Sequence, residues 1–185
     1  MSLSDSFVQR FKQEWPNHAE RVIQAIEAGI ALTSIRYNPA DEARQILPLS
    51  DAVAWCAQAH YLADRPSFTL DPAFHAGNYY VQEASSMLYA AVLQKLPAPK
   101  RAMDMCAAPG GKTAFIADMM KDTGEIVALD RYDSRLHIVE KNFKRLALKS
   151  TKIISMDALK FVDEKKFDRV LVDVPCSGTG TLAKK

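Results

Sequence analysis

The chain has 185 residues, 48% of them apolar and 25% charged, which is the composition of a globular protein with one medium domain or two small ones. No apolar run approaches the roughly 18 residues of a membrane span, and the N-terminus is charged where a signal peptide is apolar, so we expect a cytoplasmic protein without membrane contact. The net charge of +2 is concentrated after residue 100, which is compatible with a polyanionic substrate and equally with solvated helix faces.

The first part of the sequence predicts a small α/β domain over residues 1–75. Phe7, Phe11 and Trp15 recur every four residues and indicate a helix, and a second helix follows from about residue 17 to Gly29. The segment ALTSIRYNP is typical of a short strand, and AVAWCAQAHYL predicts another. This domain is expected to act as a cap or docking domain.

The remainder, residues 76–185, alternates predicted strands and helices. The spacing in YYVQEASSMLYAAVLQKL favours a helix, and strands are predicted in RAMDMC, EIVALD, KIISMD and FDRVLVDVP. Helices are predicted in GKTAFIADMMK and over residues 133–148. This alternation predicts an α/β fold with a doubly wound, Rossmann-like parallel sheet, whose ligand lies at the carboxyl ends of the strands.

The segment MDMCAAPGGKT, residues 103–113, joins the first of these strands to a helix. A phosphate-binding loop of the Walker type needs glycine at the position of Cys106, so GGKT is a poor match to a nucleoside triphosphate site. Small residues and free helix N–H groups suit a carboxylate as well as a phosphate. A tight turn without a ligand, and a triphosphatase built on GGKT, both stay open at this point.

Acidic residues close the other strands. Asp130 ends EIVALD, where a carboxylate in such sheets binds ribose hydroxyls, and Asp157 and Asp173 end the next two strands. One aspartate of this kind is often only a turn former, but three successive ones favour a nucleoside ligand. Cys176 follows Asp173 in a glycine-rich loop, which favours a functional thiol. We expect Cys56 and Cys106 to be small buried apolar side chains; the isolated cysteines give no zinc or disulfide pattern, and we expect no metal.

The motifs CAAPGGKT, ALDRYDSRL, SMDA and DVPCSGTGTL resemble those of the Nop/Sun (Fmu- or RsmF-like) RNA cytosine-5 methyltransferases, as do the upstream segments SIRYNP and RPSFTLDPAFHAGNYYVQEASSM. The resemblance implies a class I methyltransferase fold and S-adenosylmethionine as cofactor. It implies that Lys112 and the loop amides hold the methionine or ribose end, Asp130 the ribose and Asp157 the adenine. The full implied cofactor set is Cys106, Ala107, Ala108, Pro109, Gly110, Gly111, Lys112, Asp130, Arg135, Asp157 and Asp173.

The resemblance also implies the catalytic residues. Asp173 is expected to assist at N3 of cytosine, and Cys176 to release the methylated product. In the family the nucleophilic cysteine lies in a later Thr-Cys motif, which does not occur before Lys185. We therefore expect this chain alone to bind the cofactor without turning over, unless Cys176 is itself the nucleophile. RNA is the expected partner, ribosomal RNA before transfer RNA, and residues 1–75 are expected to help position it. A non-catalytic RNA-binding module is the alternative.

Overall fold

The computed structural model describes residues 3–40 and 47–175. The helices are α1 (Asp5–Glu14), α2 (Ala19–Ala28), α3 (Pro72–Ala76), α4 (Tyr89–Leu93), α5 (Gly111–Met119) and α6 (Asp133–Arg145). The strands are β1 (Ser34–Tyr37), β2 (Leu49–Ala52), β3 (Ala59–Leu62), β4 (Tyr79–Val81), β5 (Arg101–Asp104), β6 (Glu125–Asp130), β7 (Thr151–Ser155) and β8 (Arg169–Leu171). Within these ranges, none of the helices is long and apolar enough to cross a membrane.

The described residues divide into two units, and the first holds residues 3–32 together with Pro175. It contains the helical pair α1 and α2, which confirms both helices predicted from the sequence. The rings of Phe7 and Phe11 stack along α1 with centroids 5.6 Å apart. Gly29 ends α2 in the left-handed conformation, which glycine adopts without a steric penalty.

The second unit, residues 33–174, begins with an antiparallel sheet in the order β2-β3-β1-β4. Here two sequence predictions are wrong. The segment AVAWCAQAHYL is not one strand, because the chain turns after Val53 and returns as β3, with Val53 and Cys56 buried in the core. Tyr79–Val81 is strand rather than helix, since it pairs with β1 and buries two β-favouring tyrosines.

A parallel sheet in the order β7-β6-β5-β8 follows in the same unit, and it confirms the four predicted strands. Helix α6 buries the face predicted from its spacing, although it ends at Arg145 rather than continuing to residue 148. The residues of that face are Leu136, Val139 and Phe143, with Leu146 just beyond the helix. The fold is thus the doubly wound α/β class that the alternation predicted.

Two arginines, the buried Arg36 and the half-buried Arg145, connect the antiparallel sheet to the helices of the parallel sheet. Arg36 of β1 forms an ion pair with Asp118 of α5, and its side chain is 2% exposed. Arg145, the last residue of α6, donates hydrogen bonds to the carbonyl oxygens of Phe74 and Tyr79. Both contacts lie within residues 33–174. The division into domains at residue 75 stays a prediction.

Candidate active site

The carboxyl ends of the parallel strands lie along one edge of the sheet, where the sequence placed its candidate residues. Asp104 ends β5 opposite Leu171 of β8, so that Asp173 follows two residues after that pair. Asp130 ends β6 opposite Ser155 of β7. The strand order therefore places the segments that follow β6 and β8 on either side of the loop of residues 105–110, which follows β5.

That loop is held to the neighbouring strand by its own backbone. The amide of Ala107 donates to the carbonyl oxygen of Leu129 at 2.7 Å, and the amide of Gly110 donates back to Ala107 at 2.6 Å. The Ala108–Pro109 peptide bond is cis. The carbonyl oxygen of Pro109 accepts hydrogen bonds from Tyr80 and Asn142. The loop is therefore held in place by hydrogen bonds to β6, α6 and β4.

Asp130 is buried beneath the loop and contacts it directly. One carboxylate oxygen accepts from the amide of Ala108 at 3.2 Å, and the other accepts from the amide of Tyr132. Arg135 lies 3.5 Å from the same carboxylate and also donates to the carbonyl oxygen of Ala108. The structure thus groups Ala108, Asp130 and Arg135. Their roles in cofactor binding stay predictions.

Gly110 and Gly111 allow close packing of neighbouring side chains against the start of α5. Gly110 has a φ of +103°, which favours glycine, and a Cβ there would lie 3.1 Å from the ring of Phe143. A Cβ on Gly111 would lie 3.0 Å from the ring of Tyr80. The amides in the first turn of a helix have no intrahelical acceptor, and small residues let a ligand approach them.

Asp104 and Thr113 form a buried contact that the sequence analysis missed. The Thr113 hydroxyl donates to one Asp104 oxygen at 2.6 Å, and the amide of Cys106 donates to the other at 3.2 Å. Thr113 is fully buried, so its hydroxyl is committed to Asp104. In a Walker loop the equivalent hydroxyl binds Mg²⁺. This geometry argues against the triphosphatase interpretation of GGKT.

A cavity of about 260 Å³ opens beside the loop, between the start of α5 and the segment that follows β4. The ammonium of Lys112 and the carboxylate of Asp173 meet at its wall, 2.6 Å apart. Gln82, Glu83 and Cys106 also line the cavity. The cavity thus presents one cation, two carboxylates and an amide.

Cys106 is half-buried and lines the cavity, so the expectation of a buried apolar side chain is wrong for it. Its thiol is nevertheless poorly suited to nucleophilic attack. Burial raises its pKa, and the carboxylates of Asp104, Asp130 and Asp173 raise it further. A thiol with a raised pKa stays protonated at neutral pH, whereas the thiolate is the nucleophile. Cys56 is buried in the apolar core and burial likewise raises its pKa, as expected for an apolar side chain.

The remaining candidates have separate positions. Asp157 lies two residues after β7, and its side chain accepts a hydrogen bond from the amide of Leu159. A hydrogen bond of this kind is typical of an aspartate that forms a turn. The role of Asp157 toward adenine stays a prediction. Cys176 lies outside the residues that the structure describes.

Sequence reasoning overlooked three residues that shape the site. Asp104 was interpreted only as part of a strand. Its position as the last residue of β5, like that of Asp130 in β6, could have indicated a site residue. Tyr80 and Gln82 reach the loop only through pairing between β1 and β4, which no local pattern indicated.

Comparison with known proteins identifies the family. A family model described as 16S rRNA methyltransferase RsmB/F matches residues 91–185, just over half of the chain, and one described as the N-terminal domain of 16S rRNA methyltransferase RsmF matches residues 3–84. The chain is 42% identical over 123 residues to a tRNA (cytosine(72)-C(5))-methyltransferase of Pyrococcus horikoshii, covering 64% of this chain and 31% of that protein.

Two further similarities agree with these matches. The ribosomal RNA small subunit methyltransferase F of Aeromonas salmonicida is 35% identical over 170 residues, covering 86% of this chain and 36% of that protein. The chain thus spans about a third of the length of both curated relatives. The crystal structure of a methyltransferase homolog from Pyrococcus horikoshii has a TM-score of 0.79 at 31% identity, covering 97% of this chain and 62% of that one. The family resemblance and the methyltransferase fold are therefore confirmed, and the chain belongs to the RsmB/F family of 16S rRNA methyltransferases.

Proposed function

We propose that this chain carries the cofactor-binding part of an S-adenosylmethionine-dependent methyltransferase that methylates C5 of cytosine in RNA. The observation that carries the proposal is the meeting of Lys112 and Asp173 at the wall of the cavity beside the CAAPGGKT loop. The curated relatives named above are cytosine-C5 or ribosomal RNA methyltransferases, which supports the same reaction.

The residues present fit the cofactor. The first-turn amides of α5 have no intrahelical acceptor and Gly111 at the helix start lines the cavity, an arrangement that suits a carboxylate. Asp130 and Arg135 lie on the other side of the loop, where the resemblance places the ribose. When bound, S-adenosylmethionine supplies an electrophilic methyl group on its sulfonium.

The chain's own polar groups act on the base. Cytosine C5 is a poor nucleophile until a cysteine thiolate adds to C6. Asp173 assists that addition by a hydrogen bond or a proton at N3, and Lys112 holds the Asp173 carboxylate in position. The resemblance assigns Cys176 to product release. The raised pKa of Cys106 supports assigning the nucleophile to a different cysteine.

The substrate is an unstacked base in RNA. A base inside a duplex cannot reach a cavity of this kind, so single-stranded or loop RNA is favoured. We place ribosomal RNA before transfer RNA, because the family models are those of 16S rRNA methyltransferases. We also place the reaction in the cytoplasm.

The test is transfer of a radioactive methyl group from S-adenosylmethionine to purified ribosomal RNA and, separately, transfer RNA, followed by nucleoside analysis. The proposal predicts 5-methylcytidine, with ribosomal RNA the better substrate, when the chain is supplied within its complete enzyme. A labelled base other than 5-methylcytidine would contradict the reaction. RNA binding that is indifferent to S-adenosylmethionine and yields no methylated product would favour a non-catalytic module.

A further inference from the structure

Gln82 is the most deeply buried polar side chain at the cavity. It follows β4 directly, its side chain is 5% exposed, and it lines the cavity together with Gly111 and Lys112. Among the described residues, its Nε2 group has no hydrogen-bond partner. A buried amide donor without a partner is costly, so this donor is a candidate for a ligand contact.

The orientation of the Gln82 amide is set by Arg36. Arg36 donates from Nε to Oε1 of Gln82 at 3.1 Å, and Arg36 is itself held by its ion pair with Asp118. Because Oε1 must face the guanidinium, Nε2 must face away from it. The amide is therefore positioned by a buried network rather than free to rotate.

Nε2 lies close to the start of α5. It is 3.5 Å from the place where a Cβ on Gly111 would stand, and Gly111 also lines the cavity. The Gln82 amide therefore packs against the backbone of Gly111 at the lining of the cavity. A ligand atom near Gly111 would thus receive a hydrogen bond that no described protein group accepts.

The charges at the cavity indicate what kind of ligand atom this is. Glu83 and Asp173 contribute two carboxylates, and Lys112 contributes the cation already paired with Asp173. A neutral base fits beside Glu83 and Asp173, because its acceptors carry no charge that these carboxylates would repel. Cytosine carries two acceptors, N3 and O2, and N3 is assigned above to Asp173.

We propose that Gln82 positions the target base by donating a hydrogen bond from Nε2 to O2 of cytosine. This inference rests on the proposed function, and it gives the Gln82 side of the cavity a role for the substrate, beside the cofactor at the start of α5. When a thiolate adds to C6, negative charge develops on the ring, and a donor at O2 stabilises that charge. Gln82 is thus a positioning residue whose own orientation comes from Arg36 and Asp118.

Gln82→Glu is the sharpest variant, because a glutamate keeps the shape and the acceptor for Arg36 but loses the donor. Gln94→Glu, at an exposed position outside the cavity lining, makes the same chemical change as the control. Calorimetry would measure the affinity of each protein for octacytidylate RNA and for S-adenosylmethionine. We expect Gln82→Glu to weaken octacytidylate binding about tenfold and to leave the affinity for S-adenosylmethionine unchanged.

The outcomes separate the two claims. Unchanged octacytidylate binding by Gln82→Glu overturns the inference alone, and so does a loss confined to S-adenosylmethionine, since the donor would then face the cofactor. A wild-type chain that binds no S-adenosylmethionine overturns the proposed function and the inference with it. If Gln82→Glu fails to fold, the ¹⁵N resonance of the Gln82 amide in the wild-type chain decides. A shift of that resonance with octacytidylate supports the inference, and no shift overturns it.

Discussion

Thr113 and Asp104 form a buried hydrogen bond of 2.6 Å that joins the last residue of β5 to the first turn of α5. The contact spans the loop of residues 105–110, so it fixes the distance between the strand end and the helix start. The relative positions of the residues that line the cavity depend on that distance. This bond is therefore central to the shape of the candidate site.

Replacing Thr113 with valine should destabilise the protein by about 1–3 kcal/mol, because the buried Asp104 loses a donor. Urea denaturation would measure the change. Thr113→Ser keeps the hydroxyl and is the matched control, with a smaller loss expected. Equal losses for the two variants would mean that the methyl group, rather than the hydrogen bond, stabilises this position.

Asp104 should also make stability depend on pH. Burial raises its pKa above the ordinary value of 3.8, while the bonds from Thr113 and Cys106 oppose the rise. Because the folded pKa lies above the unfolded one, the stabilising contribution is full below the ordinary value and is lost as the pH rises through the raised value. Asp104→Asn cannot titrate and keeps an acceptor for Thr113.

The measurement for Asp104 is the free energy of unfolding of both proteins across pH 4 to 7. The wild-type protein should lose stability relative to Asp104→Asn as the pH rises through this range. A constant difference, or one that changes in the opposite direction, would show that burial does not dominate at this carboxyl.

Removing the buried guanidinium of Arg36 should be severely destabilising. Arg36→Met leaves Asp118 and the Gln82 amide without their partner, and breaking a buried ion pair costs about 3–5 kcal/mol. Arg10→Met removes an ion pair with Glu14 in which both side chains are exposed, so its urea midpoint should hardly change. Similar midpoints for the two variants would contradict the structural role assigned to Arg36.

Replacing Asp173 should lower the rate of methyl transfer and leave the stability of the fold nearly unchanged. Its side chain is 53% exposed, so its ion pair with Lys112 contributes little to folding, and Asp173→Asn should unfold at nearly the wild-type urea concentration. Methyl transfer to RNA should fall by roughly a hundredfold or more, the usual cost of losing a group that handles a proton. A large fall in stability with little change in rate would indicate a structural carboxylate instead.

The elements that could be predicted from the sequence are those in which apolar residues recur at a regular spacing between turns. The strands of the parallel sheet are bounded by turns, and α6 has its apolar residues at helical spacing, so periodicity was sufficient there. The hairpin β2–β3 was missed because Val53 and Cys56 are apolar residues within the turn itself. Both side chains are buried by tertiary packing, so an apolar run in the sequence here does not correspond to a single strand.

The candidate site was predicted in the same uneven way. Asp130 and Asp173 could be located because they follow the ends of recognisable strands. The contacts of Gln82 depend on Arg36, which is 46 residues distant in sequence, and on pairing of β4 with β1. The spacing of residues within one segment cannot predict a contact between residues so far apart in the sequence.

The most direct test of the central claim is calorimetric titration of the chain with S-adenosylmethionine, with magnesium-ATP as the comparison ligand. Binding of S-adenosylmethionine without binding of ATP is the predicted result, because the Thr113 hydroxyl is committed to Asp104 and the first-turn amides of α5 suit a carboxylate. Binding of ATP without S-adenosylmethionine would contradict the account of this loop.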